Sequence, residues 1–326
     1  MKRILPTLLA LALTAVMLVG CQTQQPVADV PLEIRVGGLK GPTSMGMVRL
    51  MEAAEKGEAA NSYSFNIYGS ADEVTPKLIQ GELDIVAVPA NLASVLYNNT
   101  AGAIKLLAIN TLGVTYIVEQ GEQVHSLADL KGKTIYASGK GSIPEYTLRF
   151  LLAEHGIDPD KDVTFSWKSE PGEIVALLAQ NQDAVAMLPQ PYVTVAQTQL
   201  QDLRIAVNLT ETWDDLGNGS TLITGVLVVR TEFADAHPER LAAFLDEYRA
   251  STEYVNAHIP EAAQLVEKFG IVPAAIAEKA LPYCNITYLA GADMRPMMQG
   301  YLQVLFAQNP KAIGGAVPDD GFYYVK

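Results

Sequence analysis

From residue 32 onward the hydrophobic and polar positions follow two alternating patterns. Short runs rich in β-branched and aromatic residues predict strands at 33–37, 64–68, 84–88, 114–118, 134–137, 164–167, 183–187 and 222–229. Between them, apolar positions recur at helical spacing over about 43–56, 71–80, 90–98, 144–155, 172–180 and 190–199. Strand and helix in regular succession predict an α/β architecture with a mainly parallel sheet. From about residue 237 the pattern is mostly helical.

The pattern repeats with an offset of one hundred. Gly41-Pro42-Thr43-Ser44 falls on Gly141-Ser142-Ile143-Pro144, Arg49 on Arg149, Phe65 on Phe165 and Glu73-Val74 on Glu173-Ile174. One residue out of step, Asp84-Ile85-Val86-Ala87-Val88 resembles Asp183-Ala184-Val185-Ala186-Met187, and Pro89 and Pro189 follow. Two doubly wound lobes of one plan follow from this. Each aligns its strand-end loops along one edge, where open α/β sheets bind ligands, and two such edges face to face make a cleft. Glu119-Gln120-Gly121 and Gly217-Asn218-Gly219 are the expected crossings, since glycine-bearing polar segments absorb changes in backbone angle. The expected division is 31–118 plus 221–326 for the first lobe and 119–220 for the second.

The N-terminus is of another kind. Lys2 and Arg3 precede an apolar run ending at Val19, too short for a membrane span of roughly 20 residues, and Gly20-Cys21 follows. Residues 1–20 read as an export signal. Leu18-Val19-Gly20-Cys21 resembles the bacterial lipobox, which implies that Cys21 is lipidated and becomes the new N-terminus. The polar stretch 21–30 then reads as a tether. Cys284 is the one cysteine beyond it, so no internal disulfide can form and packing alone must hold the fold. Hydrophobic residues make up 49% of the chain, enough for that. The formal charge is −13, and removing Lys2 and Arg3 with the signal lowers it to −15, which argues against a nucleic-acid partner. It does not exclude a small anion, because surface charges are screened beyond roughly 8 Å whereas groups in a cleft act at contact.

Ser126-Leu127-Ala128-Asp129-Leu130-Lys131-Gly132-Lys133, the Gly141-Ser142 pair, Leu151-Leu152 and the segment 156–163 carry a family likeness. Together with the unit from Asp183 to Pro191 they resemble ABC-importer substrate-binding proteins of the nitrate/sulfonate/taurine type, a group that includes receptors for the pyrimidine precursor of thiamine. The resemblance implies a type II periplasmic-binding fold that closes on a small solute and delivers it to permease subunits. With the lipid signal it implies a protein held at the outer face of the bacterial cell membrane. Gln190 stands where the family commonly has an acidic residue, and the cysteine-rich motif of the synthases that share this fold is missing.

On that fold Gly141 and Ser142 lie at a cleft-facing helix start, matched in the other lobe by Gly41, Thr43 and Ser44. The same hydroxyls equally suit plain N-capping. Asn91 and Gln190 follow the next strands, where their amides can donate and accept, although Asn91 also suits a helix cap. Tyr192 and Tyr68 are stacking walls or core residues, and Thr224-Gly225 is either a point of close ligand approach or a strand bulge. His125, His155, His237 and His258 are scattered without metal-ligand spacing, so no metal site, cofactor or catalytic residue is expected. Gly139-Lys140-Gly141-Ser142-Ile143 lacks both the final glycine of a nucleophile elbow and the order of a phosphate-binding loop. A solute receptor for a small polar or anionic organic ligand is the leading expectation. A receptor feeding a signalling system and an α/β hydrolase are the alternatives.

Overall fold

The computed structural model describes residues 32–325, so the signal at 1–20, the lipidation at Cys21 and the tether at 21–30 lie outside the described residues. The chain opens with β1 (Glu33–Leu39), α1 (Pro42–Met45), α2 (Val48–Glu55), β2 (Ser62–Tyr68), α3 (Ala71–Ile79), β3 (Ile85–Pro89), α4 (Ala90–Asn99) and β4 (Ile104–Leu112). It continues through β5 (Thr115–Glu119), β6 (Thr134–Ser138), α5 (Ile143–Glu154), β7 (Thr164–Lys168), α6 (Pro171–Leu178), β8 (Val185–Pro189), α7 (Tyr192–Gln199), β9 (Arg204–Asn208) and α8 (Leu209–Asp214). It returns with β10 (Ile223–Arg230), α9 (Thr231–Ala236), α10 (Pro238–Ala257), α11 (Ile259–Lys268), α12 (Ala274–Ala280), β11 (Ile286–Ala290) and α13 (Gly291–Gln308).

Two sheets result, in the orders β11-β4-β10-β3-β1-β2 and β7-β6-β8-β5-β9. β1 pairs parallel to β2 and β3, with β10 antiparallel against β3. In the second sheet β6 pairs parallel to β7 and β8, with β5 antiparallel against β8. The hundred-residue offset is therefore visible as topology, β1, β2 and β3 corresponding to β6, β7 and β8. The central strands are apolar throughout because both faces are covered: Ile85 to Val88 and Val226 to Val229 are fully buried.

Several boundaries differ from expectation. The expected first lobe includes the strand at 114–118, but β5 pairs with β8 and β9 in the second sheet. The first crossing is therefore Gly113-Val114. The 119–121 segment instead turns within the second lobe, where the carboxylate of buried Glu119 accepts the N–H groups of Gln123 and Val124 and pairs with Arg204. The helix expected over 43–56 is broken at Gly46-Met47 into α1 and α2. β4 and β9 have no counterpart among the expected strands, and β11 interrupts the region expected to be helical.

The C-terminal region does not belong to the first lobe alone. α13 packs on β4 and β11 but also on α5 of the second lobe, and α12 packs on α7. Trp213, fully buried on α8, lies with its ring centroid 4.7 Å from Phe150 and 5.7 Å from Tyr301 of α13. One apolar core thus runs through both lobes behind the crossings.

Candidate functional site

A doubly wound sheet brings the C-terminal ends of its parallel strands to one edge, and the antiparallel strand beside them begins there. In this molecule both edges open on one void of about 290 Å³. The first lobe contributes Thr43 from the β1–α1 junction, Pro89 and Asn91 from β3–α4, and Thr224 from the start of β10. Ser142, Ile143 and Pro144 come from the β6–α5 junction, Pro189 from the end of β8, and Val114 and Thr115 from the entry to β5. Register makes the two walls equivalent, since Pro89 stands opposite Gly225 on β10 and Pro189 opposite Thr115 on β5. A larger recess of about 660 Å³ is walled by edge strand β9, the start of α8 and Pro282, Tyr283 and Asn285, away from the junctions that the two sheets turn to each other.

Each lining group is held by local chemistry. Thr43 is buried, and its carbonyl accepts a hydrogen bond from Asn110 Nδ2 at 2.9 Å, which anchors the short α1 to β4. Asn110 is itself buried and accepts from Thr111 Oγ1 at 3.1 Å. A Cβ at Gly225 would come within 2.4 Å of Thr43 Cγ2 and 2.7 Å of Asn110 Oδ1, so only glycine fits there. The β10–β4 register also shifts at this glycine. Bulge and close approach, alternatives in sequence, occur together, though the approaching group is Thr43.

In the second lobe Gly141 adopts the left-handed conformation at φ 74° that turns the chain into α5. Its N–H donates to Glu145 Oε2 at 2.6 Å, and its carbonyl accepts from Tyr146 Oη at 3.0 Å. Ser142 occupies the N-cap position without capping: its hydroxyl donates back to the Gly139 carbonyl at 2.6 Å, and its N–H donates to the same oxygen at 3.1 Å. The Ser142 oxygen retains acceptor capacity, and the Ile143 N–H, first in the helix, has no partner within the helix. Asn91 is not a cap either; its Nδ2 donates to the Ala312 carbonyl at 3.0 Å, leaving the amide oxygen as the group it can offer.

Thr43, Asn91, Ser142 and Thr224 therefore line the void among the residues singled out in sequence, whereas Gly41, Ser44, Gly141, Gln190, Tyr192 and Tyr68 do not. Gly41 and Gly141 shape the turns beside it. Tyr192 packs against the second lobe's core and Tyr68 against the main one. Ser44 and Gln190 are buried one step back from the junctions, each with a polar atom, Ser44 Oγ and Gln190 Nε2, that finds no hydrogen-bond partner. The Gln190 oxygen accepts from Thr194 Oγ1 at 2.9 Å. Sequence reasoning missed Pro89, Pro189, Val114, Thr115, Ile143 and Pro144 as lining groups. The repeat held a signal for Ile143, which falls on Thr43; Thr115 needed the strand register.

None of the ten lining residues carries a charged side chain, and none is a histidine. His155 and His258 bond to the carbonyls four residues before them, and exposed His125 to that of Glu122. Cys284 is buried, and burial pushes its thiol up to about 12. Among the described residues no group of three or more His, Cys, Asp or Glu is placed to hold a metal ion, and no helix is long and apolar enough to cross a membrane. The void can thus offer hydroxyls, an amide oxygen and apolar walls, the equipment of a binding cleft.

No curated protein sequence matches the chain. Among solved structures it is similar to an ABC transporter protein from Parabacteroides distasonis, with 25% identity, a TM-score of 0.76, and 90% of this chain and 99% of that one covered. It is also similar to the periplasmic aliphatic sulphonate binding protein SsuA from Escherichia coli, with 17% identity, a TM-score of 0.71 and coverage of 90% and 92%. For the alkanesulfonate-binding protein SsuA from Xanthomonas axonopodis pv. citri, bound to MOPS, the figures are 17%, 0.63, 89% and 95%. These likenesses establish the two-lobed periplasmic-binding fold. The family model described as NMT1/THI5 like matches residues 101–263, half of the chain, running from before β4 through the whole second lobe and back across β10. On that match the chain belongs to the NMT1/THI5-like family.

Proposed function

We infer that this protein is an extracytoplasmic solute receptor of an ABC importer, without catalysis of its own. It captures a small polar or anionic organic solute between its lobes and hands it to permease subunits. The observation that carries the reading is one void lined from both lobes, at the strand ends where open α/β sheets bind ligands. The likeness to a transporter protein over 99% of that protein's length supports the same role. The geometry supports closure on the solute: one bonded to Thr43 and Thr224 on one side and to Ser142 and Thr115 on the other gains its full set of contacts only when the lobes meet, and so favours that state. Cys21, in this reading, carries the lipid that keeps the receptor beside its permease, and 21–30 is the tether. A Cys21→Ser chain recovered from the soluble fraction, with the unaltered chain in the membrane fraction, is the expected result.

A thermal-shift screen of small organic solutes against the folded chain tests the binding role. A solute at a hundred times its dissociation constant adds about 2.7 kcal/mol to stability. Replacing both Ser142 and Thr224 by alanine is expected to abolish the shift. Stabilisation that survives the double replacement would place the binding elsewhere and refute the site.

A further inference from the structure

The β6–α5 junction has its own anion, and it is part of the protein. Glu145 lies in the first turn of α5, is 8% exposed, and its Oε2 accepts the Gly141 N–H at 2.6 Å, one residue from the lining Ser142. The Ser142 N–H is turned to the Gly139 carbonyl at 3.1 Å, and so is its hydroxyl proton. The Gly141 and Ser142 donors are therefore taken up within the loop, which leaves the Ile143 N–H as the donor this junction can turn to a solute. The carboxylate at this helix start adds repulsion: Glu145 Oε1 accepts from Arg149 Nε at 2.8 Å, but the same guanidinium also bonds Asp160 at 2.7 Å, so the three side chains together carry a net negative charge. Lys40 and Lys140, one in each junction loop, are exposed, and neither lines the void. No lining side chain supplies a compensating positive charge.

We propose that Glu145 sets the charge selectivity of this cleft, so that it accepts an uncharged solute with hydrogen-bonding groups and apolar surface and rejects anions. The proposal rests on the solute-receptor reading and narrows it. A buried carboxylate in the first turn of the helix whose start lines the void repels a bound anion more than a surface charge does, because burial lowers the screening around it. An uncharged solute meets the hydroxyls of Thr43, Thr115, Ser142 and Thr224 without that penalty.

Calorimetric titration of the folded chain with methanesulfonate and with nitrate tests this. The unaltered chain is expected to show no saturable binding at millimolar concentration. Glu145→Gln keeps an oxygen that can accept the Gly141 N–H while removing the charge, and is expected to bind at least one of the two anions about tenfold or more tighter. Micromolar binding of either anion by the unaltered chain, or no gain in Glu145→Gln, overturns the proposal. A measurement on the unaltered chain guards against a variant that does not fold: solutes retained from a cell extract are released by denaturation and their charge read by mass spectrometry. An uncharged species supports the proposal. An anion overturns it while leaving the receptor standing, and a chain that retains nothing overturns the receptor reading itself.

Discussion

Gly225 shows how one residue sets the geometry of the void without touching a ligand. Its missing side chain is the space that Thr43 Cγ2 and Asn110 Oδ1 occupy at 2.4 and 2.7 Å from where a Cβ would stand. Gly225→Ala is expected to lower stability by about 1–3 kcal/mol through overpacking and to weaken solute capture, because Thr43 must give way. Denaturant unfolding reads the first effect and calorimetry the second; an unchanged chain in both would show that α1 is not held as described here. Thr43 was legible in sequence because both halves place a hydroxyl at the helix start that follows their first strand. Asn110 was not, because it is a buried polar residue within a strand that the hydrophobic pattern did not separate from its surroundings.

At the level of elements, the first sheet is pinned where β1, β3 and β10 lie side by side. Asp84, 2% exposed at the entry to β3, accepts from the backbone and side chain of Arg35 at 2.7–3.0 Å and from Arg230 at 2.9 Å. Burial pushes the Asp84 carboxyl up, but the bonds from Arg35 and Arg230 outweigh it and hold the group below its usual value. A depressed carboxylate contributes stability above its unfolded value of about 4 and loses it as pH falls through the lower folded value. Asp84→Asn, which strands two guanidiniums, is expected to cost on the order of 3 kcal/mol at neutral pH and to flatten the decline in stability below pH 4. Equal acid sensitivity in both chains would mean that other carboxylates dominate. Asp84 was visible in the sequence only as part of a repeat with Asp183, which does not share its role: Asp183 is exposed, and its N–H bonds to Asn181. The assignment of β5 failed for a related reason. An antiparallel strand next to a crossing looks the same in sequence whichever sheet it joins.

In the whole molecule the two lobes are joined by more than their crossings. Asn309 Nδ2, just past α13, donates to Tyr146 Oη at 2.7 Å, which in turn donates to the Gly141 carbonyl; Ala312 in the following turn accepts from Asn91. The C-terminal turn thus bonds to Asn91 in one wall of the void and to Tyr146 on α5, the helix whose start forms part of the other. Losing one such bond costs about 1 kcal/mol, so Asn309→Ala is expected to weaken solute binding by roughly fivefold and to raise the radius of gyration of the solute-free chain. Small-angle scattering checks the second point, and no change in either quantity would reduce this contact to a surface bond.

The amino-acid sequence by itself determined the α/β class, the two like halves and the strand–helix junctions, because these follow from hydrophobic period and from turn residues, which act locally. Thr43, Asn91, Ser142 and Thr224, singled out on that basis, line one void. Only the tertiary structure decided which sheet β5 joins, that α13 packs on both lobes, and that the Gly141 amide faces Glu145 rather than the void. Those outcomes depend on strand register and on side chains meeting across the chain, where neighbours far apart in sequence compete for one partner and no local pattern records the winner.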